Sequence, residues 1–142
     1  MEIRNSVLFF QTTAETDLFD ITGEVSARVR ESGIIEGTVL VFAPGSTAAL
    51  TTIEYESGAI EDLKEAIARL APESLNYRHD ARWGDGNGYA HVRAALLGPS
   101  LTVPIISGKL VLGTWQQMIL CDFDNRPRKR QVVIQVTGKV AG

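Results

Sequence analysis

Cysteine, long apolar runs and targeting signals are scarce or missing in this 142-residue chain. Cys121 is the only cysteine, which excludes an internal disulfide and favours a reducing cytoplasm. No uninterrupted apolar stretch has the length needed to cross a bilayer, and the first residues lack the basic start and apolar core of a signal peptide. The sequence therefore predicts a cytoplasmic protein that has no membrane partner.

Excess positive charge is also missing. Lysine and arginine total 14 against 17 aspartate and glutamate, for a net charge of -3, which argues against a nucleic-acid partner held by bulk charge. The apolar share of 44% is typical of globular proteins. The length suits one domain with a real core, and no repeat, linker or low-complexity segment divides the chain. A single domain over residues 1–142 is predicted.

Hydrophobic periodicity and turn residues predict an α+β domain. The expected elements are a strand at Glu2–Gln11, a helix from Asp20 or Thr22 to Ser32, strands at Gly37–Ala43 and Ala48–Ile53, a helix capped by Ser57 and ended by Pro72, a loop with the histidine region, a short helix at Gly88–Leu97, and strands at Leu101–Ile106, Lys109–Leu112, Thr114–Cys121 and Gln131–Thr137. This order predicts mixed or antiparallel sheet layers with two main helices and one short helix.

Several predicted strands are apolar on both faces. Examples are Val39–Phe42 and Met118–Leu120. A strand of this kind needs cover on both sides of its sheet. We therefore expect helices, and also another subunit, to pack against the sheets.

The two histidines of the chain, His79 and His91, flank one glycine-rich run that includes Asp85 and Asn87. Imidazole is the side chain best suited to metal binding or to proton transfer near neutral pH. A shared zinc-like ion would need another ligand, such as an oxygen of Asp85, Glu54 or Glu56. The alternative is a solvent-facing loop histidine beside a helix histidine that bonds to backbone.

Two turns carry further candidate residues. Ser46 and Thr47 can present hydroxyls and backbone amides to an anion, or they simply join two strands, since the lysine of a phosphate-binding loop is absent. Asp85 and Asn87 lie in a run of the composition that tight turns require. Both turns therefore have a structural interpretation beside the functional one.

Two later segments offer donors for a ligand. Trp115 and Gln116 precede an apolar strand, where they either join the core or orient a heterocycle. Arg128 and Arg130 belong to a basic cluster that is either a solvated turn or a site for bidentate phosphate recognition. Arg93, on the predicted short helix, is a further candidate for a phosphate contact.

These signals occur in an order that resembles one family, the YjbQ family. The resemblance covers nearly the whole chain and rests on His79, Asp85–Gly88, His91–Pro104, Gly108–Leu110, Leu112–Gln117 and Arg128–Arg130. It implies a compact α+β fold, a homotrimer, a polar pocket near subunit contacts and a divalent metal ion, zinc or magnesium, held through histidines. His79, His91, Glu54 and Asp85 match the functional positions. One departure is Gly45, which stands where many relatives have a histidine.

Two functions follow as hypotheses. The first is a small-molecule enzyme, and the resemblance implies thiamine-phosphate synthase-like chemistry on phosphorylated pyrimidine and thiazole precursors. Pyrophosphate would leave and the thiazole nitrogen would capture the pyrimidine, so stabilising the leaving group would be the main catalytic effect. The second is a non-catalytic trimeric binding protein for a small anionic metabolite or a metal. The predicted catalytic residues are His79, His91, Asp85 and Glu54, and the predicted substrate-binding residues are Ser46, Thr47, Asn87, Arg93, Trp115, Gln116, Arg128 and Arg130.

Overall fold

Two antiparallel sheets and four helices build the structure, a computed structural model that describes residues 1–142. The elements in chain order are β1 Glu2–Gln11, β2 Leu18–Asp20, α1 Thr22–Ser32, β3 Ile34–Phe42, β4 Ala48–Ile53, α2 Ser57–Leu70, α3 Arg78–Trp83, α4 Gly88–Leu97, β5 Ser100–Ile106, β6 Lys109–Leu110, β7 Gln117–Asp122 and β8 Lys129–Val140. One sheet has the strand order β1-β8-β3-β5-β6 and the other β2-β7-β4. The predicted single α+β domain is confirmed, and every strand pair is antiparallel.

The main core lies between the two sheets. Alternate residues of β3 and β8, such as Val39 and Ile134, are fully buried there. Helix α1 adds Val25 and Val29 to the same cluster. This helix ends where predicted, because Gly33 takes the left-handed conformation that closes a helix readily.

The three-stranded sheet is covered on both faces, as its doubly apolar central strand predicted. Met118 and Leu120 of β7 join the core between the sheets, whereas Ile119 and Cys121 join a second cluster with residues of α2 and α4. All four side chains are fully buried. The layers are therefore five-stranded sheet, three-stranded sheet and helix pair, with β7 held at the centre.

The outer face of the five-stranded sheet has no cover within the chain. Phe9 and Phe42 project from it with exposed fractions of 55% and 39%. Leu40 and Val133 on the same face are half-buried. The predicted cover by another subunit stays a prediction at this face.

Four local predictions were wrong, and one strand was missed. His79 lies on helix α3 and not in a loop, so the chain has four helices instead of three. Residues 114–116 form a turn before β7, and β6 stops at Leu110. Helix α2 is capped by Glu56, whose carboxylate accepts the amide N–H groups of Gly58 and Ala59, and not by Ser57. Strand β2, only three residues long, was not predicted.

None of the four helices combines the length and hydropathy of a membrane span.

Candidate functional site

A polar cleft opens where β4 begins, β7 ends and β8 begins, beside α3 and α4. Its volume is about 350 Å³. Its lining brings together eight of the residues predicted for the site with three others: His79, His91, Asp85, Ser46, Thr47, Asn87, Arg128 and Arg130 are joined by Gly45, Trp83 and Arg126. Only one lining residue is hydrophobic, so the cleft suits a charged or strongly polar ligand.

The two imidazoles stack against each other at one wall of the cleft. Their ring centroids are 4.4 Å apart and the rings are tilted by 40°. Helix α3 carries His79, and the first turns of α4 carry His91. The helices are joined where Asp80 Oδ1 accepts the Gly88 N–H at 2.8 Å. A Cβ at Gly88 would lie 2.6 Å from Tyr77 Cβ, so only glycine allows this approach.

Two carboxylates lie beside His79. Its Nδ1 atom is 3.1 Å from Asp80 Oδ1 and 3.5 Å from Asp85 Oδ1. One ligating atom from each of the three residues falls within 4.8 Å of the other two. A carboxylate beside one ring nitrogen fixes the imidazole's tautomer and orientation. The same three groups are the donor set that could hold a metal ion in this cleft.

Asp124 forms the floor of the cleft. Its side chain is fully buried and accepts hydrogen bonds from Asn87 Nδ2, the Asn125 N–H, Thr47 Oγ1 and Arg128 Nε. Burial pushes the pKa of this carboxyl upward, but these hydrogen bonds outweigh burial and lower its pKa to about 2. The floor therefore stays ionised at neutral pH.

A second buried carboxylate, Asp122, holds Arg130. Arg130 Nε donates to Asp122 Oδ1 at 2.7 Å, and its Nη2 atom donates to Thr47 Oγ1. Burial raises the pKa of Asp122, against the opposing charge and hydrogen bond of Arg130. These contacts fix the guanidinium in place, so Arg130 is already oriented before a ligand arrives.

The arginines of the cleft are therefore of two kinds, those paired with a carboxylate and one that is unpaired. Arg128 and Arg130 are paired with Asp124 and Asp122 beneath them. Arg126 is exposed at the rim and has no carboxylate partner. The paired arginines supply oriented N–H donors, while Arg126 supplies the uncompensated charge that attracts an anion.

Three predicted site residues lie at the other end of the three-stranded sheet. Glu54 is exposed just after β4, whereas Thr47 precedes that strand. Because β4 has six residues, its ends are roughly 20 Å apart. Gln116 lies near Glu54, with its Nε2 atom donating to Thr52 Oγ1, and the neighbouring Trp115 is 70% exposed. Within one chain these three side chains do not reach the cleft.

Arg93 is also outside the cleft, although it is only 4% exposed. Its Nε atom donates to the Ala71 carbonyl at 2.9 Å, and its guanidinium lies over the Tyr89 ring. These contacts join α4 to the end of α2. Arg93 is therefore a packing residue in this structure, and its phosphate contact stays a prediction.

Sequence reasoning missed Asp80, Trp83, Asp122 and Asp124 as parts of the site. A signal for the last two was present, since Asp122 ends the doubly apolar strand β7, Asp124 comes two residues later, and both precede the pair Arg128 and Arg130. Acidic groups at the end of a buried strand need cationic partners. No comparable signal marked Asp80, because its contact with α4 depends on the tertiary fold.

Comparison with known proteins identifies the family to which this sequence is similar. The sequence model described as UPF0047 protein YjbQ-like matches residues 6–139. The chain belongs to the YjbQ family. It is 41% identical over 128 residues to a family protein of Archaeoglobus fulgidus, a match that covers 90% of this chain and 97% of the relative. YugU of Bacillus subtilis is 36% identical over 132 residues, covering 92% and 97%.

Solved structures of YjbQ-like proteins share the fold. The Sulfolobus solfataricus protein, described as YbjQ-like and of unknown function, gives a TM-score of 0.92 at 33% identity and covers 97% of this chain and 99% of its own. A Clostridium acetobutylicum member gives 0.85 at 32% identity, covering 93% and 99%. The family resemblance predicted from the motifs is thus confirmed, and these relatives assign no reaction to it.

Proposed function

We propose that this chain is an enzyme that acts on a small phosphorylated metabolite bound in the polar cleft. One observation supports the proposal above all. Two stacked imidazoles form a wall of the same cleft to which Arg126, Arg128 and Arg130 contribute their guanidinium groups. Phosphate recognition and proton transfer are thereby available within a single site.

The arginines support anion binding in the cleft. Arg130 and Arg128 are held by buried carboxylates, so little side-chain entropy is lost when they bind phosphate. Ser46, which lines the same cleft, adds a hydroxyl as a neutral donor. Arg126 adds the charge that the floor does not neutralise. A phosphate group fits this donor set better than a cation or an apolar group does.

The histidines support proton transfer in the cleft. Asp80 and Asp85 flank His79 Nδ1, which orients the ring. His91 packs on the same ring and lines the same cleft. The two imidazoles are the groups that can hold or pass a proton beside a bound phosphate. Both residues are therefore assigned to the reaction in this proposal, with Asp85 and Asp80 as positioning residues.

Thiamine-phosphate synthase-like chemistry is the specific reaction that the resemblance implied. In it the bond from the pyrimidine methylene carbon to pyrophosphate oxygen breaks, and the oxygen keeps the electron pair. The thiazole nitrogen then forms the new bond to that carbon. The arginines support this reaction because cations stabilise a leaving pyrophosphate. We propose it as the first reaction to assay, without treating its substrates as the physiological ones.

A metal ion is compatible with the donor atoms beside His79. Tetrahedral ligands at about 2.1 Å from zinc lie about 3.4 Å apart, close to the 3.1 Å and 3.5 Å that separate His79 Nδ1 from the two aspartates. His79, Asp80 and Asp85 would hold the ion, whereas Glu54 lies too far away. The imidazole suits zinc better than magnesium. Such an ion would polarise a phosphate oxygen as a Lewis acid.

We also propose that the chain assembles as a homotrimer. The outer sheet face supports this, because monomers rarely leave apolar side chains such as Phe9 and Phe42 exposed together. In a ring of three, each interface joins two different surfaces. Trp115, Gln116 and Glu54 of one subunit would then be available to the cleft of a neighbouring subunit.

Light scattering on a sizing column tests the trimer. The wild type should have the mass of three chains, and Phe9→Glu should dissociate it. A monomeric wild type would contradict the proposal.

The enzyme proposal is tested by product detection. Purified wild type, His79→Ala and His91→Ala proteins are incubated with a panel of phosphorylated metabolites, including the pyrimidine diphosphate and thiazole phosphate pair, and products are identified by mass. We expect turnover by the wild type that falls at least about a hundredfold in both variants, with unchanged circular dichroism. Tight binding without any product would contradict the enzyme and favour the binding-protein alternative.

Two matched variants separate anion recognition from folding. Arg126→Met removes the unpaired guanidinium and should weaken inorganic phosphate binding by roughly tenfold or more. Arg69→Met removes an exposed arginine of α2 that lies outside the cleft and should leave binding unchanged. Equal phosphate affinities in the two variants would contradict the role of Arg126 in anion binding.

The metal proposal has an independent test, which is elemental analysis of untagged wild type and His79→Ala protein.

A further inference from the structure

A second cavity lies next to the polar cleft, and the histidine pair forms part of both. We call it the side cavity; it has a volume of about 460 Å³ and is lined by Asn76, Tyr77, Arg78, Gly88, Val92 and the two histidines. His79 and His91 also line the polar cleft. The stacked imidazoles thus have ligand-sized space adjoining them in two places.

The side cavity differs chemically from the cleft. Its lining contains no carboxylate, and the exposed guanidinium of Arg78 has no ion-pair partner. Val92 contributes apolar surface with an exposed fraction of 40%. Tyr77 is fixed because its hydroxyl donates to the Pro72 carbonyl at 2.7 Å. A neutral or acceptor-bearing ring fits this lining, whereas a cation would meet Arg78.

The sizes of the two cavities argue for a two-part ligand. Sites for small molecules commonly measure about 300–1,000 Å³, so the cleft alone is near the lower limit of that range. A free phosphate ion would leave the side cavity empty. A phosphorylated molecule with a ring as its second part would fill both and would pass beside the imidazoles.

We propose that the substrate is a two-part phosphorylated metabolite, with its phosphate in the polar cleft and an uncharged or acceptor-bearing ring in the side cavity. The atoms that link the two parts then lie at His79 and His91. This inference rests on the proposed function, since it takes the cleft as the phosphate site. It adds the side cavity as a subsite that selects the organic part of the substrate.

The test uses one helix to fill the cavity and to supply the control. Val92→Trp places a large side chain in the side cavity. Leu96→Trp makes a similar change one turn along α4, at a position that is 60% exposed and lines neither cavity. Calorimetry measures the binding of inorganic phosphate, phenyl phosphate and ribose 5-phosphate to both variants and the wild type, with circular dichroism as a check on folding.

We expect at least one of the two esters to bind the wild type more tightly than phosphate does. Val92→Trp should weaken that ester by about tenfold, or 1.4 kcal/mol, and leave phosphate affinity unchanged, while Leu96→Trp changes neither. If phosphate binds but neither ester gains affinity, or if both tryptophan variants behave alike, the side cavity is not a subsite. If the wild type binds no phosphate at all, the proposed function fails and this inference fails with it.

Discussion

Replacing Asp124 by asparagine tests how the floor of the cleft is stabilised. The side chain keeps its shape but loses the charge that attracts Arg128 and orders Asn87 and Thr47. A pKa of about 2 against an ordinary value of 3.8 corresponds to about 2 kcal/mol of free energy of unfolding at neutral pH. We expect Asp124→Asn to lower that free energy by at least about this amount at pH 7.

The pH dependence gives the sharper result. Because the pKa of Asp124 is lower in the folded state than in the unfolded state, its stabilising effect is complete above about pH 5 and is lost as the pH falls through the range from about 4 to 2. The difference in unfolding free energy between wild type and variant should therefore fall by about half at pH 3.

Urea titrations at pH 7, 5 and 3, followed by circular dichroism, measure this difference. Asp62→Asn is the control, because Asp62 is exposed on α2 and its replacement should change stability by less than about 0.5 kcal/mol. A difference for Asp124→Asn that is the same at pH 3 as at pH 7 would mean that packing, and not the charge, stabilises the floor.

Three further predictions concern packing, capping and reactivity. Gly88→Ala should destabilise the fold by about 1–3 kcal/mol in urea titrations, because its Cβ would overlap Tyr77, whereas Gly23→Ala, with open space around it, should be neutral or stabilising. Glu56→Gln should lower the melting temperature at pH 7 but less so well below pH 4.5, because amide hydrogen bonds lower the pKa of Glu56 and so stabilise the fold only above that range. Burial raises the pKa of the Cys121 thiol to about 12, so a thiol-reactive disulfide at pH 8 should label denatured protein and leave native protein unmodified; rapid native labelling would contradict this burial.

Local sequence signals were sufficient where an element carries its own pattern. Strand β1 and helix α4 have the predicted ends, and α1 ends at Ser32 as predicted, where the turn at Gly33 explains its end. The doubly apolar β7 correctly indicated cover on both faces of its sheet. Such patterns reflect burial on one or two faces, which a strand or helix shows along its own length.

Helix α3 could not be found in the same way. Its six residues, Arg78–Trp83, include no buried side chain and therefore have no apolar period. Its position is fixed instead by the hydrogen bond from the Gly88 N–H to Asp80 and by the missing Cβ at Gly88. The stacking of His79 on His91 depends on that tertiary contact, so their spacing in the chain alone left the pair unexplained.

The site was predicted in its polar half and missed in its buried half. Arg128, Arg130, Thr47 and Asn87 were chosen for what they could offer a ligand. The structure shows them also bound to Asp122 or Asp124. Buried ionised groups need such partners. A search for carboxylates at the end of an apolar strand would have identified this half as well.

The ion pairs beneath the cleft also join the two sheets. Asp122 ends β7 in the three-stranded sheet, while Arg130 lies near the start of β8 in the five-stranded sheet. A ligand held by Arg128 and Arg130 would therefore bind where the two sheets are joined. Any ligand that binds only the folded state raises the melting temperature of the protein. A thermal-shift screen should therefore identify metabolites that bind in the cleft, by the rise in melting temperature, before any reaction is known.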